Sequence, residues 1–126
     1  MSKVVSLADE RIYLFALEGN LKEVRKHIIG GGNVLASHPI HNGDTALHAA
    51  CANGHLDVCK YLCSVGANEH HGNDKGNVPL HYAVKNGHLK IVTYLIYSKS
   101  ASVNARNKYG TTALHFASSK RTSNDI

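Results

Sequence analysis

The sequence predicts an all-α solenoid, in which short helix–turn–helix units stack side by side. Residues 45–50 (Thr-Ala-Leu-His-Ala-Ala) return 33 positions later as residues 78–83 (Val-Pro-Leu-His-Tyr-Ala), and 34 positions after that as residues 112–117 (Thr-Ala-Leu-His-Phe-Ala). A fixed period of this size indicates stacked units, each of which buries its apolar face on its neighbours. Between the copies, apolar residues recur at helical spacing and glycines recur where helices should end. We therefore expect about three and a half units in one domain, residues 1–126.

The first unit, residues 7–41, fits the period less closely than the others. A pair of helices separated at Gly19 is predicted here, with Glu10 solvating the outer side, because a stack needs a polar end unit. Gly19 and Gly54 are 35 positions apart, so two residues are inserted in this unit. We place the insertion in the loop of residues 34–41, which is longer than the repeat requires.

The second unit, residues 42–74, shows the pattern most clearly. Gly43 can adopt the positive φ of the opening turn, and Thr45 is a favourable N-cap for the first helix. Leu47 lies on the apolar face of that helix, and Gly54 ends it in the left-handed conformation. A second helix follows, with an apolar stripe at helical spacing.

The third unit, residues 75–107, repeats this order with one change at its first helix. Val78 stands where the second unit has threonine, so the helix lacks a side-chain cap. Pro79 is expected to compensate, because its fixed φ suits the first helical position. Leu80 then takes the apolar position, and Gly87 separates the two helices.

The partial unit, residues 108–126, contains only the first helix of the pattern. Thr112 is its N-cap and Leu114 its apolar residue, but the Asn-Gly-His that should follow Ala117 is absent. A second helix is therefore missing from this unit. We expect that the chain is the N-terminal part of a longer protein, or that its last residues fray.

These motifs resemble the ankyrin repeat. Gly-x-Thr-Ala-Leu-His followed by Asn-Gly-His-Leu is similar to the ankyrin signature, which is Thr-Pro-Leu-His with Gly-His-Leu a short distance on. The resemblance implies a cupped stack that binds proteins or peptides, with turn tips as fingers and first helices as the palm. It also implies structural histidines whose rings bond the nearby threonine hydroxyl and backbone amides: His48, His81 and His115.

The concave face is where the resemblance places the partner-binding residues. They flank the glycine of each finger or follow a signature histidine, and one further lysine lies beside them. His41, Asn42 and Ala49 hold such positions in the second unit as well. The predicted partner-binding residues are Asp44, Asp74, Lys75, Asn77, Tyr82, Lys85, Lys108, Tyr109, Thr111 and Phe116.

Two aromatic residues, Tyr82 and Phe116, lie one repeat apart and are expected side by side on the palm, with Tyr109 at a fingertip. Exposed aromatic residues of this kind are typical binding hot spots. Flanked by lysines, they suit an extended or helical peptide that carries acidic and apolar residues. The alternative is that Tyr82 and Phe116 only cover neighbouring helices. If Tyr82 contacts the partner, Tyr82→Ala abolishes partner capture without lowering thermal stability.

The net charge of +5 is distributed unevenly along the chain. It is +1 for residues 1–40, −3 for residues 41–74 and +7 for residues 75–126. Such asymmetry steers an acidic partner toward the C-terminal half, or it reflects solvated surface lysines. Nucleic acid is a weaker alternative, because the basic residues form no dense cluster with interleaved aromatics. No apolar run is long enough to span a membrane.

Three cysteines and ten histidines raise the question of a metal site. Cys59 and Cys63 have the i, i+4 spacing of a zinc pair, but they also fall on the apolar stripe of their helix. We therefore predict core positions for them and no metal. An odd number of cysteines is typical of free thiols in a reducing compartment. We expect a cytoplasmic or nuclear protein without a cofactor.

No catalytic motif is recognisable in the sequence. It has neither a Gly-x-Ser-x-Gly elbow nor a Gly-x-x-x-x-Gly-Lys phosphate loop. We predict a monomeric protein-interaction module without intrinsic catalysis. The alternative is a regulatory or targeting domain of a larger enzyme, whose catalytic part lies beyond residue 126. Asn104 resembles the loop asparagine that hydroxylases modify in some ankyrin repeats, and a structural role is the alternative there.

Overall fold

The structure, a computed structural model, describes residues 6–116. Six α-helices in this range form three consecutive pairs, and a link of two or three residues joins the helices of each pair. Such short links fold the second helix back against the first. Residues 113–116 are helical as well, and no β-strand occurs in the described range. The helices are α1 (Leu7–Glu18), α2 (Leu21–Ile29), α3 (Ala46–Ala52), α4 (Leu56–Ser64), α5 (Pro79–Lys85) and α6 (Leu89–Lys99).

The helices are arranged in two layers. Helices α1, α3 and α5 contact one another in order and form the inner layer, while α2, α4 and α6 do the same in the outer layer. The two helices of each pair also pack together, so each unit lies against the next. The all-α solenoid predicted from the repeats is confirmed.

The core lies between the two layers and is built from equivalent positions of successive units. Leu47 of α3 and Leu80 of α5 are buried, and Ile12 takes the same place in α1. Burial of one such side chain contributes roughly 1.5–3 kcal/mol to folding. The outer layer contributes Val24, Val58, Cys59, Leu62, Cys63, Ile91 and Leu95.

The links require glycine for two reasons, a left-handed backbone conformation and the lack of space for a Cβ atom. Gly54 has a φ of +81°, in the left-handed region. A Cβ atom on Gly54 would also come within 2.7 Å of the ring of His88, which belongs to the next unit. That ring is held in place, because His88 Nε2 donates to the carbonyl of Ala52 at 3.0 Å. His55 makes the same bond to Leu17 at 3.1 Å, so the second and third links each carry a hydrogen bond to the preceding unit.

Three fingers project from the inner layer, and the inserted residues lie in the first of them. We define finger one as residues 38–44, finger two as residues 73–77 and finger three as residues 107–111. In each, the backbone N–H of the first residue donates to the carbonyl of the last. Finger one is two residues longer than the others and contains a 3-10 helix, Pro39–His41. The insertion predicted for residues 34–41 is therefore at a fingertip.

Cations and tyrosines connect successive helices of the outer layer. The Arg25 guanidinium lies 5.3 Å from the ring centre of Tyr61 in the next unit. Lys60 Nζ lies 5.8 Å from the ring centre of Tyr94, one unit further along. Contacts of this kind contribute about 0.5–1 kcal/mol each at exposed sites. They supplement the apolar stripe, which was the only outer-layer contact that the sequence indicated.

The last unit departs from the others at its apolar position. Leu114 is 70% exposed, whereas Leu47 and Leu80 are buried. The N–H of Thr112 still donates to Nδ1 of His115, as at the start of the other inner helices. The predicted absence of a second helix concerns residues 117–126, which lie outside the described residues.

Candidate functional site

The signature histidines connect each finger to a helix. Nδ1 of His48 accepts the backbone N–H of Thr45 at 3.0 Å, and the Thr45 hydroxyl lies 2.9 Å from the same atom. The hydroxyl also caps helix α3 by accepting the N–H of His48. Because Nδ1 accepts, Nε2 carries the proton and donates it to the carbonyl of Asn77 at 2.8 Å. No sequence motif indicated this last bond, which reaches finger two.

His81 repeats the arrangement without a threonine. Its Nδ1 accepts the N–H of Val78 at 2.9 Å, and its Nε2 donates to the carbonyl of Ala105 at 2.9 Å. Val78 offers no side-chain cap, and Pro79 occupies the first turn of α5. Burial lowers the pKa of His81 and that of His48. Both rings are therefore kept in the neutral form that these bonds require.

Two asparagines that the sequence analysis missed fix fingers two and three. Oδ1 of Asn107 accepts the backbone N–H groups of Tyr109 and Thr111, each at 2.9 Å. Asn73 holds residues 75 and 77 in the same way, at 3.0 and 2.9 Å. Both asparagines stand three positions before the glycine of their finger, which is the signal that could have found them. We call these bonds the finger frame.

Finger one is fixed by other side chains, because His38 stands where fingers two and three begin with asparagine. One carboxylate oxygen of Glu10 accepts from His38 Nδ1 at 3.2 Å, and the other accepts from His41 Nε2 at 3.0 Å. Tyr13 packs on both rings, with ring centres 4.8 and 4.1 Å away. The hydrogen bond from His41 is the main cause that lowers the pKa of Glu10. The prediction that Glu10 only solvates the outer side is wrong, since Glu10 holds finger one.

Tyr82, a predicted contact residue, uses its hydroxyl within the protein. The hydroxyl donates to Oδ1 of Asp44 at 3.2 Å and accepts from Nδ2 of Asn73 at 2.8 Å. The ring lies edge-on to His48, with ring centres 5.8 Å apart. Burial, followed by the Asp44 carboxylate, raises the pKa of Tyr82 to about 12. Only part of the ring is therefore open to a partner.

The remaining predicted residues divide into framework and exposed positions. Asn77 and Thr111 belong to the framework: Thr111 is held by Asn107, and Oδ1 of Asn77 accepts from Nδ2 of Asn107 at 2.8 Å. Ala49 is buried, so the expectation that it is free for contact is wrong. Phe116 is half-buried, edge-on to the signature histidine of the third unit at 5.6 Å. We call the fully exposed positions the exposed group: Asp74, Lys75, Lys85, Lys108 and Tyr109.

The exposed group combines three lysines with one aspartate and one aromatic side chain. Tyr109 is 73% exposed, although its backbone N–H is held by the finger frame. All ion pairs found within residues 6–116 involve histidine, so the three lysines have no carboxylate partner in that range. The N–H of Lys108 donates to the carbonyl of Lys75 at 2.8 Å and joins fingers two and three. Fingers two and three and the end of α5 thus present exposed lysines and one exposed ring, and these lysines form no ion pair within residues 6–116.

Comparison with protein-family models decides the family. The model described as ankyrin repeats (3 copies) matches residues 12–107 and, in a second match, residues 70–126. The chain belongs to the ankyrin-repeat family. Ankyrin repeats are generally protein–protein interaction modules and are typically non-catalytic. A search of curated proteins finds no match to this chain.

The ankyrin stack contains three buried free thiols, those of Cys51, Cys59 and Cys63. Burial raises the pKa of Cys51 well above its ordinary value and that of Cys63 to about 11, so both stay protonated at neutral pH. Within residues 6–116, no group of three or more His, Cys, Asp or Glu side chains is placed to hold a metal ion. Among the described helices, none has both the length and the apolar character needed to cross a membrane.

Proposed function

We propose that this ankyrin stack binds a protein partner on its concave face, formed by α1, α3, α5 and the three fingers. Support comes from the contrast between the finger frame and the exposed group. Asn73 and Asn107 hold the backbone of their fingers, and side chains on a preorganised backbone lose less conformational entropy on binding. Within residues 6–116, the lysine ammonium groups and the tyrosine ring of the exposed group form no side-chain hydrogen bond or ion pair.

The proposed partner is an acidic segment with apolar anchors, in an extended or helical conformation. The lysines of the exposed group have no carboxylate partner among residues 6–116. Residues 75–126 carry a net charge of +7. Complementary charge of this kind accelerates association and fixes orientation more than it adds affinity. Tyr109 and the open parts of Tyr82 and Phe116 receive the apolar side chains of the partner.

The observation that supports this proposal most strongly is the exposure of the Tyr109 side chain on a fixed backbone. Its side chain is 73% exposed, while Asn107 fixes its backbone N–H. An aromatic ring has only two side-chain torsions, so it presents a large apolar area at low entropic cost. Rings with this combination of exposure and fixed position are the usual hot spots of protein interfaces.

The experiment uses peptides selected against the chain from a displayed random library. We expect the selected peptides to share acidic and apolar residues. Tyr109→Ala is expected to weaken their binding at least about tenfold, because truncation of a hot spot costs about 2 kcal/mol or more. Tyr97→Ala is the matched control, since Tyr97 is 82% exposed but lies on the outer helix α6. Equal losses in both variants, or no loss in either, overturn the proposal.

Tyr82→Ala is a less selective test than the sequence analysis supposed. It removes the hydroxyl bonds to Asp44 and Asn73 together with any contact to the partner. Tyr82→Phe keeps the ring and removes only the hydroxyl, so it separates the two roles. We expect Tyr82→Phe to lower the unfolding temperature and to retain most of the affinity for the selected peptides.

A further inference from the structure

A pair of thiols between α3 and α4 takes no part in the concave face. The Sγ atoms of Cys51 and Cys59 are 3.0 Å apart, and both side chains are fully buried. Non-bonded heavy atoms in apolar packing are optimally separated by about 3.5–4.0 Å. The two sulfurs are therefore in direct S–H···S contact, closer than apolar packing places them.

The surrounding helices hold this thiol pair together. Cys51 lies near the end of α3, Cys59 lies inside α4, and residues 53–55 link the two helices. Helix α3 also packs on α1 and α5, and α4 packs on α2 and α6, so neither helix is free to drift. Cys63 lies one helical turn further along α4, and the sulfur contact within hydrogen-bonding distance is the one between Cys51 and Cys59. The fold thus selects one pair among the three cysteines.

We infer that Cys51 and Cys59 are a dithiol–disulfide pair, a site of reversible oxidation by a hydroperoxide. In the first step one thiolate attacks a peroxide oxygen, which breaks the O–O bond, forms a sulfenic acid and releases hydroxide. In the second step the other thiolate attacks the sulfenic sulfur and displaces hydroxide, so that the S–S bond forms. With hydrogen peroxide, two thiols give one disulfide and two waters, and two electrons pass from the sulfurs to the peroxide. The sulfurs approach by about 1 Å from their present contact.

Oxidation cross-links the two helices of the second unit. Both thiols are buried in the packed stack, so the reaction takes place during a transient local opening of α3 and α4. The opening admits the peroxide and lets an exposed thiol ionise. The disulfide then joins the two helices and prevents a further separation until a thiol reductant restores the pair. Helix α3 carries His48, whose ring is hydrogen-bonded to finger two. The disulfide therefore constrains a helix that supports the proposed concave face.

Peptide mapping tests the pair in the folded chain. The chain is treated with hydrogen peroxide, the remaining thiols are alkylated in denaturant, and the protein is cut with trypsin. Cys51 and Cys59 fall in one tryptic peptide, residues 27–60, and Cys63 falls in the next, residues 61–75. We expect the first peptide to be unalkylated and about 2 Da lighter than its dithiol form, and the second to be alkylated. A disulfide that includes Cys63, or double alkylation of residues 27–60, overturns the inference.

Single variants test the pair. Cys51→Ser and Cys59→Ser each remove one partner, so neither variant is expected to form a disulfide within residues 27–60. Cys63→Ser is the control and should form that disulfide as the natural chain does. Circular dichroism establishes that each variant is folded, and the mapping of the natural chain stands if one is not. Loss of the disulfide in Cys63→Ser, or a disulfide formed only in denaturant, overturns the pair.

Discussion

Two of the signature histidines, His48 and His81, accept a hydrogen bond at one ring nitrogen and donate one at the other. Both accept a backbone N–H at Nδ1. At Nε2, His48 donates to the carbonyl of Asn77 in the third unit, and His81 donates to the carbonyl of Ala105 near the end of its own unit. A protonated ring has no free lone pair at Nδ1, so it cannot keep the first bond. Each of the two residues therefore fixes both the start of a helix and a more distant backbone segment, and it does so only while neutral.

We predict that the stack loses stability as the pH falls below about 6.5, the ordinary pKa of histidine. The folded-state pKa values of His48 and His81 are lowered by burial, so the unfolded chain binds more protons in this range. The free energy of unfolding therefore decreases with falling pH. His48 faces Asp44 and His71, and His81 faces backbone carbonyls, and in both cases burial outweighs these neighbours. Glu10, with its lowered pKa, adds a second loss below 4.5.

Urea midpoints at about pH 7.5 and about pH 5.5 measure this effect, because histidine titrates between them. The midpoint should be clearly lower at the acidic pH. His70→Gln is the control, since the ring of His70 is exposed and its loss should leave the difference between the two midpoints unchanged. Equal midpoints at the two pH values would contradict the role given to the signature histidines.

A second prediction at the residue scale concerns the missing cap of α5. Val78→Thr supplies the hydroxyl that Thr45 provides in the second unit, beside a histidine in the same position. The gain should be roughly 0.5–1 kcal/mol, at the lower end of the range for an N-cap, because the N–H of His81 already reaches the Val78 carbonyl. Thr45→Val is the reverse change and should destabilise. Chemical denaturation of both variants measures the change in the free energy of unfolding. A destabilised Val78→Thr would contradict the capping role given to the threonine hydroxyl.

At the scale of elements, the helix pairs could be predicted from the sequence, whereas the contacts that hold finger one and the Tyr82 hydroxyl could not. A cap such as Thr45 acts on residues within one turn, so a local motif reveals it. The bond from His38 to Glu10 joins residues 28 positions apart, and the bond from Tyr82 to Asp44 spans 38 positions. Such contacts depend on how units stack, which no single repeat encodes. For that reason Glu10 was misassigned and the internal role of Tyr82 was only an alternative.

Finger three provides a test of the finger frame. Asn107→Ala removes the acceptor of two backbone N–H groups and the donor to Asn77. We expect a loss of about 1–3 kcal/mol in the free energy of unfolding, together with faster hydrogen exchange in residues 107–111. Asn104→Ala is the control, because Asn104 is exposed and only its backbone N–H is bonded. Unchanged exchange in Asn107→Ala would show that its side chain does not hold the finger.

The links between paired helices provide another test. Gly54→Ala places a Cβ against the ring of His88 in addition to the strain of a φ of +81°. Gly31→Ala has the strain of a φ of +106° with no atom within 4 Å of the added Cβ. Gly31→Ala should cost about 1–2 kcal/mol, and Gly54→Ala should cost more because it displaces His88. Equal losses of stability would mean that the contact with His88 contributes nothing.

Over the whole molecule, the concave face changes character from its N-terminal to its C-terminal end. Finger one is held by Glu10 and its two histidines, and Asp44 is occupied by Tyr82. Finger three instead exposes Tyr109 and Lys108. The net charge follows the same direction, from −3 in residues 41–74 to +7 in residues 75–126. We therefore expect the proposed acidic partner to approach the C-terminal end of the proposed binding face.

This polarity predicts a salt dependence of partner association. The variant with both Lys75→Ala and Lys108→Ala should reduce the association rate for the selected acidic peptides and flatten its dependence on ionic strength, since rim charges act mainly on association. Surface plasmon resonance at several salt concentrations measures both quantities. Lys60→Ala is the control, because Lys60 lies on the outer layer over Tyr94. An equal effect of Lys60→Ala would assign the attraction to net charge alone.

A map of the surface that the selected peptide covers is the most direct test of binding on the concave face. Backbone amide NMR shifts of the chain are compared with and without a selected acidic peptide. We expect the largest chemical-shift changes in fingers two and three and in α5, with little change along α2, α4 and α6. Changes concentrated on the outer layer, for example around Lys60 and Tyr97, would contradict this expectation.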